Sequence, residues 1–321
     1  MRLDDIILLL DRDIKKYRET LFAEIKSEEP FLNQINDHIL LNNGKELRGL
    51  LALLAARICG KPTTLSYNVA AVGQILHNAT LIHDDVVDEA VTRRGNLTVG
   101  AKYSAAAAVL IGDFWLSRAL NLLNKELKKE VNDAFSLAIS KMSEGELIQL
   151  QKANTLNTTE KDYYKIIEYK TSALFVACME CGAISVGADL VKVEQLKKYA
   201  AHLGNAFQMK DDILDYTPSL NTGKPSGLDI KEKKITLPLL CAFNNCPDKE
   251  LQIRELIRVG EIEKISTEVL NFVKEYNGVA TAETILKQEG GKAKEALSIF
   301  PETPEKEALI FFADYVCNRE I

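Results

Sequence analysis

Proline is missing from the middle of this chain. None occurs between Pro62 and Pro218, a gap of 155 residues in a chain of 321, where average usage of about 5% would place roughly eight. A stretch that long without proline, rich in Ala, Leu, Lys and Glu, predicts long helices. Alternating strand patterns are also missing. A basic surplus is lacking: the net charge is −6 with no broad basic stretch to offset it, which argues against a nucleic-acid partner. No run of 18 uninterrupted apolar residues occurs, so no membrane-spanning helix is predicted. Near the N-terminus, Ile6 to Leu10 is too short for a signal-peptide core. The six cysteines lack ligand-like pairing. Cys178-Met179-Glu180-Cys181 is a lone CxxC in an apolar helical run, which reads as a buried helix face. Free thiols fit a reducing cytoplasm.

Aspartate, in contrast, is concentrated. Asp84-Asp85-Val86-Val87-Asp88 is a DDxxD element, and it returns as Asp211-Asp212-Ile213-Leu214-Asp215. With 18 aspartates in the chain, two such elements arise by chance with a probability of about 0.002. Residues four apart share a helix face, so Asp84 pairs with Asp88 and Asp211 with Asp215. Clustered carboxylates repel unless a cation sits among them. Oxygen donors without Cys or His suit Mg²⁺, which takes one or two carboxylates plus phosphate oxygens. Two facing acidic helices gripping a phosphorylated ligand through magnesium are therefore expected.

What surrounds the acids extends this reading. Lys45 and Arg48, three apart beside Gly44, can grip an anion near a helix start; taken alone, they also fit an ordinary charged turn. His77 lies two turns before Asp84 on roughly the same face, and a satisfied core histidine is the competing assignment. His83 faces off the acidic axis, as a hydrogen-bonding neighbour. Arg93 and Arg94 follow the first cluster, and guanidinium forks suit diphosphate oxygens. Gln208 lies on the face of the second cluster. From Gly223 to Pro238 runs a Gly/Pro-punctuated loop rich in Lys, suited to closing over a phosphate. In the tail, Ile262, Ile265, Val269, Val273 and Tyr276 share a helical face that Gly278 is expected to close.

Together these segments resemble the trans-isoprenyl (polyprenyl) diphosphate synthase family. The motifs that carry the resemblance are GKELRG from Gly44, HNATLIHDDVVDEAVTRRG from His77, YKTSALF from Tyr169, GNAFQMKDDILDY from Gly204, and GKPSGLDIKEKKITLPL from Gly223. They recur in the family's order, and the similarity extends to Arg319. The resemblance implies one all-α domain over residues 1–321, a single-domain bundle of long helices around a deep central cavity, of the isoprenoid synthase type. It also implies two subsites. Lys45, Arg48, His77 and Arg94 would hold isopentenyl diphosphate. Mg²⁺ on Asp84, Asp88 and Asp211, with Asp85, Asp212 and Asp215 in support, would hold the allylic diphosphate. Arg93, Lys170, Thr171, Gln208, Lys224 and Lys234 would complete that cage, with Lys170 and Thr171 also catalytic. A homodimer is implied too, in the cytoplasm and peripheral to the membrane at product release.

Three residues depart from the family pattern. Gly49 stands for Pro; Glu46 stands for a basic residue, with weaker local anion binding expected; Lys233 stands for Gly, where a change of turn is expected because Gly permits positive φ. Product length in the family is set along the helix turns before the first acids. At about 1.5 Å per residue, Ala79 lies roughly 7.5 Å before Asp84. Ala79 and Thr80 are both small, so neither forms a floor, and Phe114 or Trp115 on a neighbouring helix is the next candidate. A product of six or more isoprene units, near octaprenyl, is expected. The alternatives are a shorter-chain farnesyl or geranylgeranyl synthase, or the non-catalytic subunit of a heteromeric synthase. A terpene cyclase fits less well, because it has no use for Lys45, Arg48 and His77.

Overall fold

The computed structural model describes residues 1–41, 44–126, 128–217, 227–260 and 262–320. The all-α expectation holds. In chain order the elements are α1 (Leu3–Leu9), α2 (Asp11–Ile25), α3 (Pro30–Leu41), α4 (Leu47–Cys59), α5 (Thr64–Val87), β1 (Thr92–Arg93), β2 (Asn96–Leu97), α6 (Val99–Lys102), α7 (Ala105–Glu126) and α8 (Lys129–Thr155). There follow α9 (Glu160–Ile167), a π-helical turn (Glu168–Ser172), α10 (Ala173–Ile184), α11 (Leu190–Asp215), α12 (Leu228–Lys231), α13 (Leu237–Asn245), a 3₁₀ turn (Pro247–Lys249), α14 (Glu250–Val259), α15 (Ile262–Glu275), α16 (Gly278–Ala296) and α17 (Pro304–Asn318).

The chain divides into two compact units. The first contains Met1–Ile139, Val176–Lys197 and Phe300–Leu309; the second contains Ser140–Phe175, Lys198–Ile299 and Ile310–Ile321. In the first, α5 is the central helix. It starts where Thr63, just past Pro62, caps it: the Ser66 amide donates to the Thr63 hydroxyl and the Thr63 amide to the Ser66 hydroxyl, the reciprocal exchange of a capping box. Helices α2, α4 and α7 pack on it. Val69, Val72, Ile75, Leu76 and Ala79 are buried there, so the segment is apolar nearly all round, as a core helix must be. In the second unit, α13 packs on α16, with α15 alongside both.

Three features differ from what the sequence suggested. Over Ala105–Lys125, α7 is long and apolar enough to cross a membrane by length and composition alone. Counting uninterrupted apolar runs passes over it, because Asp113, Arg118 and Asn121 break the run. It packs along α5 with one face, burying Ile111, Trp115, Ala119 and Leu122, while its other face stays exposed. The tail helix α15 is closed by Asn277, in the left-handed region at φ 54, and Gly278 instead opens α16. There a Cβ would stand 2.2 Å from the Pro238 carbonyl, so Gly278 is needed for a close approach. Finally, residues 92–97 form a two-stranded hairpin with Thr92 opposite Leu97 and Arg93 opposite Asn96. Cys178 and Cys181 are buried free thiols, as expected of a helix face.

Candidate active site

Both acidic elements sit at helix C-termini: Asp84 to Val87 are the last residues of α5 with Asp88 as its cap, and Asp211 to Asp215 are the last of α11. A helix C-terminus carries partial negative charge from its unpaired carbonyls. Carboxylates there are disfavoured unless cations answer them. In each unit, they do.

In the first unit Arg93 donates to Asp85 at 2.7 Å, and the Asp85 side chain is 9% exposed. Burial pushes the Asp85 carboxyl above its ordinary range, Arg93 opposes that, and the charge of Asp88 adds to it. Arg93 reaches Asp85 because the hairpin turns back on two residues of positive φ, Arg94 at 52° and Gly95 at 80°, the requirement of a tight two-residue hairpin turn. The Arg94 guanidinium lies against Gly44, where a Cβ would stand 2.6 Å from its Cζ. Gly44 leaves room for this approach, which brings the segment before Lys45 and the arginine hairpin together. Arg48 Nη1 donates to His77 Nε2 at 3.1 Å. Because guanidinium only donates, His77 accepts at Nε2 and carries its proton on Nδ1. Burial and the nearby charges of Arg48, Arg94 and Arg93 hold its pKa well below the ordinary range. His77 is therefore a neutral partner that orients Arg48. Lys45 is exposed. A cleft of about 450 Å³ opens beside Asp85, Arg93 and Arg94, with Asn78, Leu81 and Ile82 of α5 on its wall.

His83, off the acidic axis, fixes the end of α5. Its imidazole fills a notch at Gly112 of α7, where a Cβ would stand 2.2 Å from Nε2, and the ring contacts the Val109 carbonyl at 3.2 Å. Glu46, at φ 50, turns its carboxylate to the Tyr17 hydroxyl (2.6 Å) and Arg18 Nε (3.0 Å). Its charge is thus answered by Arg18 and the Tyr17 hydroxyl.

In the second unit the acids are tied to neighbouring elements. Asp212 is 4% exposed; Tyr163 donates to its Oδ2 at 2.6 Å and Gln208 Nε2 to its Oδ1 at 2.9 Å. Thr171 Oγ1 in turn donates to Gln208 Oε1 at 2.7 Å. Burial pushes the Asp212 carboxyl up to about 7, although both hydrogen bonds pull the other way. Asp215 accepts the amides of Leu228 and Asp229, each at 3.0 Å, on its two oxygens, so it caps α12. Asp211 Oδ1 accepts from Arg319 Nη2 at 2.7 Å.

Lys170 and Thr171 lie in the π-helical turn between α9 and α10. One extra residue per turn there displaces the backbone from the i→i−4 ladder. Two glycines admit it: a Cβ on Gly145 of α8 would stand 2.8 Å from the Lys170 amide nitrogen, and one on Gly204 of α11 2.7 Å from Ser172 Cα. Lys170 pairs with Glu146, and Lys234 with Glu232 at 2.5 Å. Lys170, Thr171, Gln208, Asp212, Tyr163 and Lys234 line one cleft of about 430 Å³. Lys233 stands at φ 58, so the turn that Gly permits is kept with Lys in its place. Lys224 lies outside the described residues.

Residues 29–273 match the polyprenyl synthetase family. The chain belongs to that family. It is 36% identical to an octaprenyl diphosphate synthase of Haemophilus influenzae, over 99% of this chain and 98% of that one. Among solved structures, a decaprenyl diphosphate synthase from Rhodobacter capsulatus superposes with a TM-score of 0.94 at 31% identity, covering 100% of both chains. A polyprenyl synthase from Caulobacter crescentus, complexed with calcium and isoprenyl diphosphate, gives 0.93 at 32% identity, covering 100% of this chain and 98% of that one. This polyprenyl synthetase is a prenyltransferase.

Several residues around its acids were not singled out in the sequence. Tyr163, Glu146 and Arg319 contact site residues from distant points of the chain, and sequence spacing carries no signal for such pairs. Asp229 had one: it stands in the quoted GKPSGLDI segment. Burial and the charges of Asp212 and Asp215 push its carboxyl well above its ordinary range. Of the candidates for product length, Ala79 is 2% exposed, and Thr80 donates its hydroxyl to the His77 carbonyl at 3.0 Å. Trp115 is fully buried and donates to Asn36 at 2.8 Å. Phe114 is half-buried, with the Arg118 guanidinium 4.8 Å from its ring centre.

Proposed function

We propose that this chain condenses isopentenyl diphosphate with an allylic diphosphate, head to tail, to give an all-trans polyprenyl diphosphate near octaprenyl. The observation that carries this reading is the family match over residues 29–273 in a chain whose two DDxxD elements are both complete. A non-catalytic subunit has no need of either.

The donors fit magnesium. Among the described residues no three His, Cys, Asp or Glu side chains form a metal cage of their own, and the candidate ligands are carboxylates alone. Mg²⁺ takes one or two carboxylates and completes its shell with water and substrate phosphate. Asp84, Asp88 and Asp211 are the ligands assigned, with Asp85, Asp212 and Asp215 in support. Bound there, the ion supplies Lewis-acid neutralisation of charge growing on the departing diphosphate.

The protein's own groups then divide the work. Lys45, Arg48 and Arg94 hold the isopentenyl diphosphate, with His77 orienting Arg48. Arg93, Lys170, Lys224 and Lys234 neutralise the allylic diphosphate as its C–O bond breaks. The isopentenyl double bond attacks the allylic cation, a new C–C bond forms, and the resulting cation loses a proton to the released diphosphate. Thr171, whose hydroxyl proton is committed to Gln208, offers its oxygen lone pairs to the cation. Water must be kept away or the cation is quenched. Ala79 and Thr80 leave room for the growing chain.

A homodimer is part of the proposal. On α7, Val109 (41% exposed), Leu110 (68%) and Leu120 (40%) share one face, and a second copy of this chain is assigned to cover it; light scattering that gives the mass of one chain would reject this. Purified protein, Mg²⁺, labelled isopentenyl diphosphate and allylic primers of increasing length test the activity. Products of about eight isoprene units are expected by chromatography. No incorporation with any primer would leave the subunit reading, and products of three or four units the shorter-chain one.

A further inference from the structure

The last residue before the C-terminal dipeptide reaches back to the second acidic element. Arg319 follows α17, its amide donating to the Tyr315 carbonyl at 2.9 Å. Its guanidinium is fixed three times. Cζ stands 4.2 Å from the centre of the Phe207 ring, Nη2 donates to the Phe207 carbonyl at 3.0 Å, and the same nitrogen donates to Asp211 Oδ1 at 2.7 Å. The Arg319 side chain is 11% exposed, whereas that of Asp211 is 43% exposed. Phe207 and Asp211 are one helical turn apart on α11, so a single planar fork spans both.

Two of the three contacts do not involve Asp211. Arg319 therefore stays where it is when a cation approaches the carboxylate, unlike a flexible surface counter-ion. A metal-binding carboxylate is commonly held by a hydrogen bond to its other oxygen, which fixes its rotamer and direction. The geometry points to Arg319 as a positioning residue for Asp211: it holds Oδ1 so that Oδ2 meets the divalent cation that accompanies the allylic diphosphate. The assignment rests on the functional reading above. It gives Arg319 a task at the acids that neither DDxxD element reveals.

The test uses the full chain with Arg319→Met, which keeps a stem on the Phe207 ring but removes charge and donors. The probe is Mg²⁺ with inorganic diphosphate, followed by the rise in melting temperature, so that no turnover is needed. The Mg²⁺ concentration at the midpoint of that rise is expected to increase roughly ten- to hundredfold. In the turnover assay the Mg²⁺ requirement moves likewise, while the KM for isopentenyl diphosphate stays within about twofold. An unchanged midpoint overturns the proposal. A lower midpoint also overturns it, because Arg319 would then compete with the cation. Should Arg319→Met fail to fold, Arg319→Lys decides: one ammonium cannot reproduce the planar fork, so its midpoint rises, and a wild-type midpoint overturns the assignment. A wild-type chain whose melting temperature never responds to Mg²⁺ and diphosphate overturns it as well. Absence of prenyl transfer alone sinks the functional reading while the melting experiment still decides on Arg319.

Discussion

The two acidic helix ends share a sequence pattern and a disadvantage, yet they are built differently. Each places three aspartates at a helix C-terminus, against the helix dipole. At the first, the counter-charge comes from a short hairpin: Arg93 on Asp85, with Arg94 in a left-handed backbone conformation beside it. At the second, the acids are part of the framework. Asp212 is buried under Tyr163 and Gln208, Asp215 caps α12, and Asp211 is held by Arg319. The first end is dressed by a loop, the second by the core. Repeating a motif in sequence thus does not repeat its environment, and environment decides what each carboxylate does.

The comparison can be pressed hardest by removing the cation that both ends are proposed to serve. Chelation with EDTA is expected to lower turnover by about 10³-fold or more, restored by Mg²⁺; activity that persists in EDTA breaks the account at both ends. Next in size are the notches. Gly145→Ala forces a methyl against the Lys170 backbone, which cannot step aside, so a roughly tenfold or greater loss of turnover is expected from displacing the π-turn. Gly112→Ala forces a methyl against the His83 imidazole, a side chain that can turn. Its effect is expected mainly in stability, about 1–3 kcal/mol by chemical denaturation. Should the two substitutions exchange effects, the first end is the more rigid of the two.

The smallest effect is electrostatic and has a definite sign. The folded Asp212 carboxyl titrates near 7, above its unfolded value of about 3.9. The folded state therefore binds this proton more tightly between roughly pH 4 and 7. Its contribution to stability is present at the acid side and is lost as pH rises through that window. In metal-free protein Asp212→Asn is expected to flatten this loss, melting at pH 7.5 a few degrees above wild type. Asp85→Asn, which strips Arg93 of its partner, is expected to give no such gain. Equal shifts at both positions would erase the distinction between loop and framework.

Much of this was legible in the chain. The proline gap gave long helices, and the repeated acids with their flanking cations marked the site. Lys45, Arg48, His77 and Arg94 were grouped only by the resemblance to the family, since spacing cannot link residues such as Arg48 and His77, 29 positions apart on different helices. The π-turn was not, since Glu168 to Ser172 looks helical in composition and only Gly145 and Gly204, on other helices, make room for it. Nor were the partners of the second end. Tyr163 lies 49 positions from Asp212 and Arg319 lies 108 from Asp211; such pairs are set by packing of distant helices, to which periodicity is blind.

That both acidic ends serve one reaction on one pair of substrates is the central proposal. It is tested most directly by comparing Asp84→Asn with Asp211→Asn in the same assay, measuring turnover and the KM for isopentenyl diphosphate. Both variants are expected to lose about 10³-fold in turnover, with that KM within about twofold of wild type. If either variant keeps turnover within tenfold of wild type, the two ends do not act together and the claim is wrong.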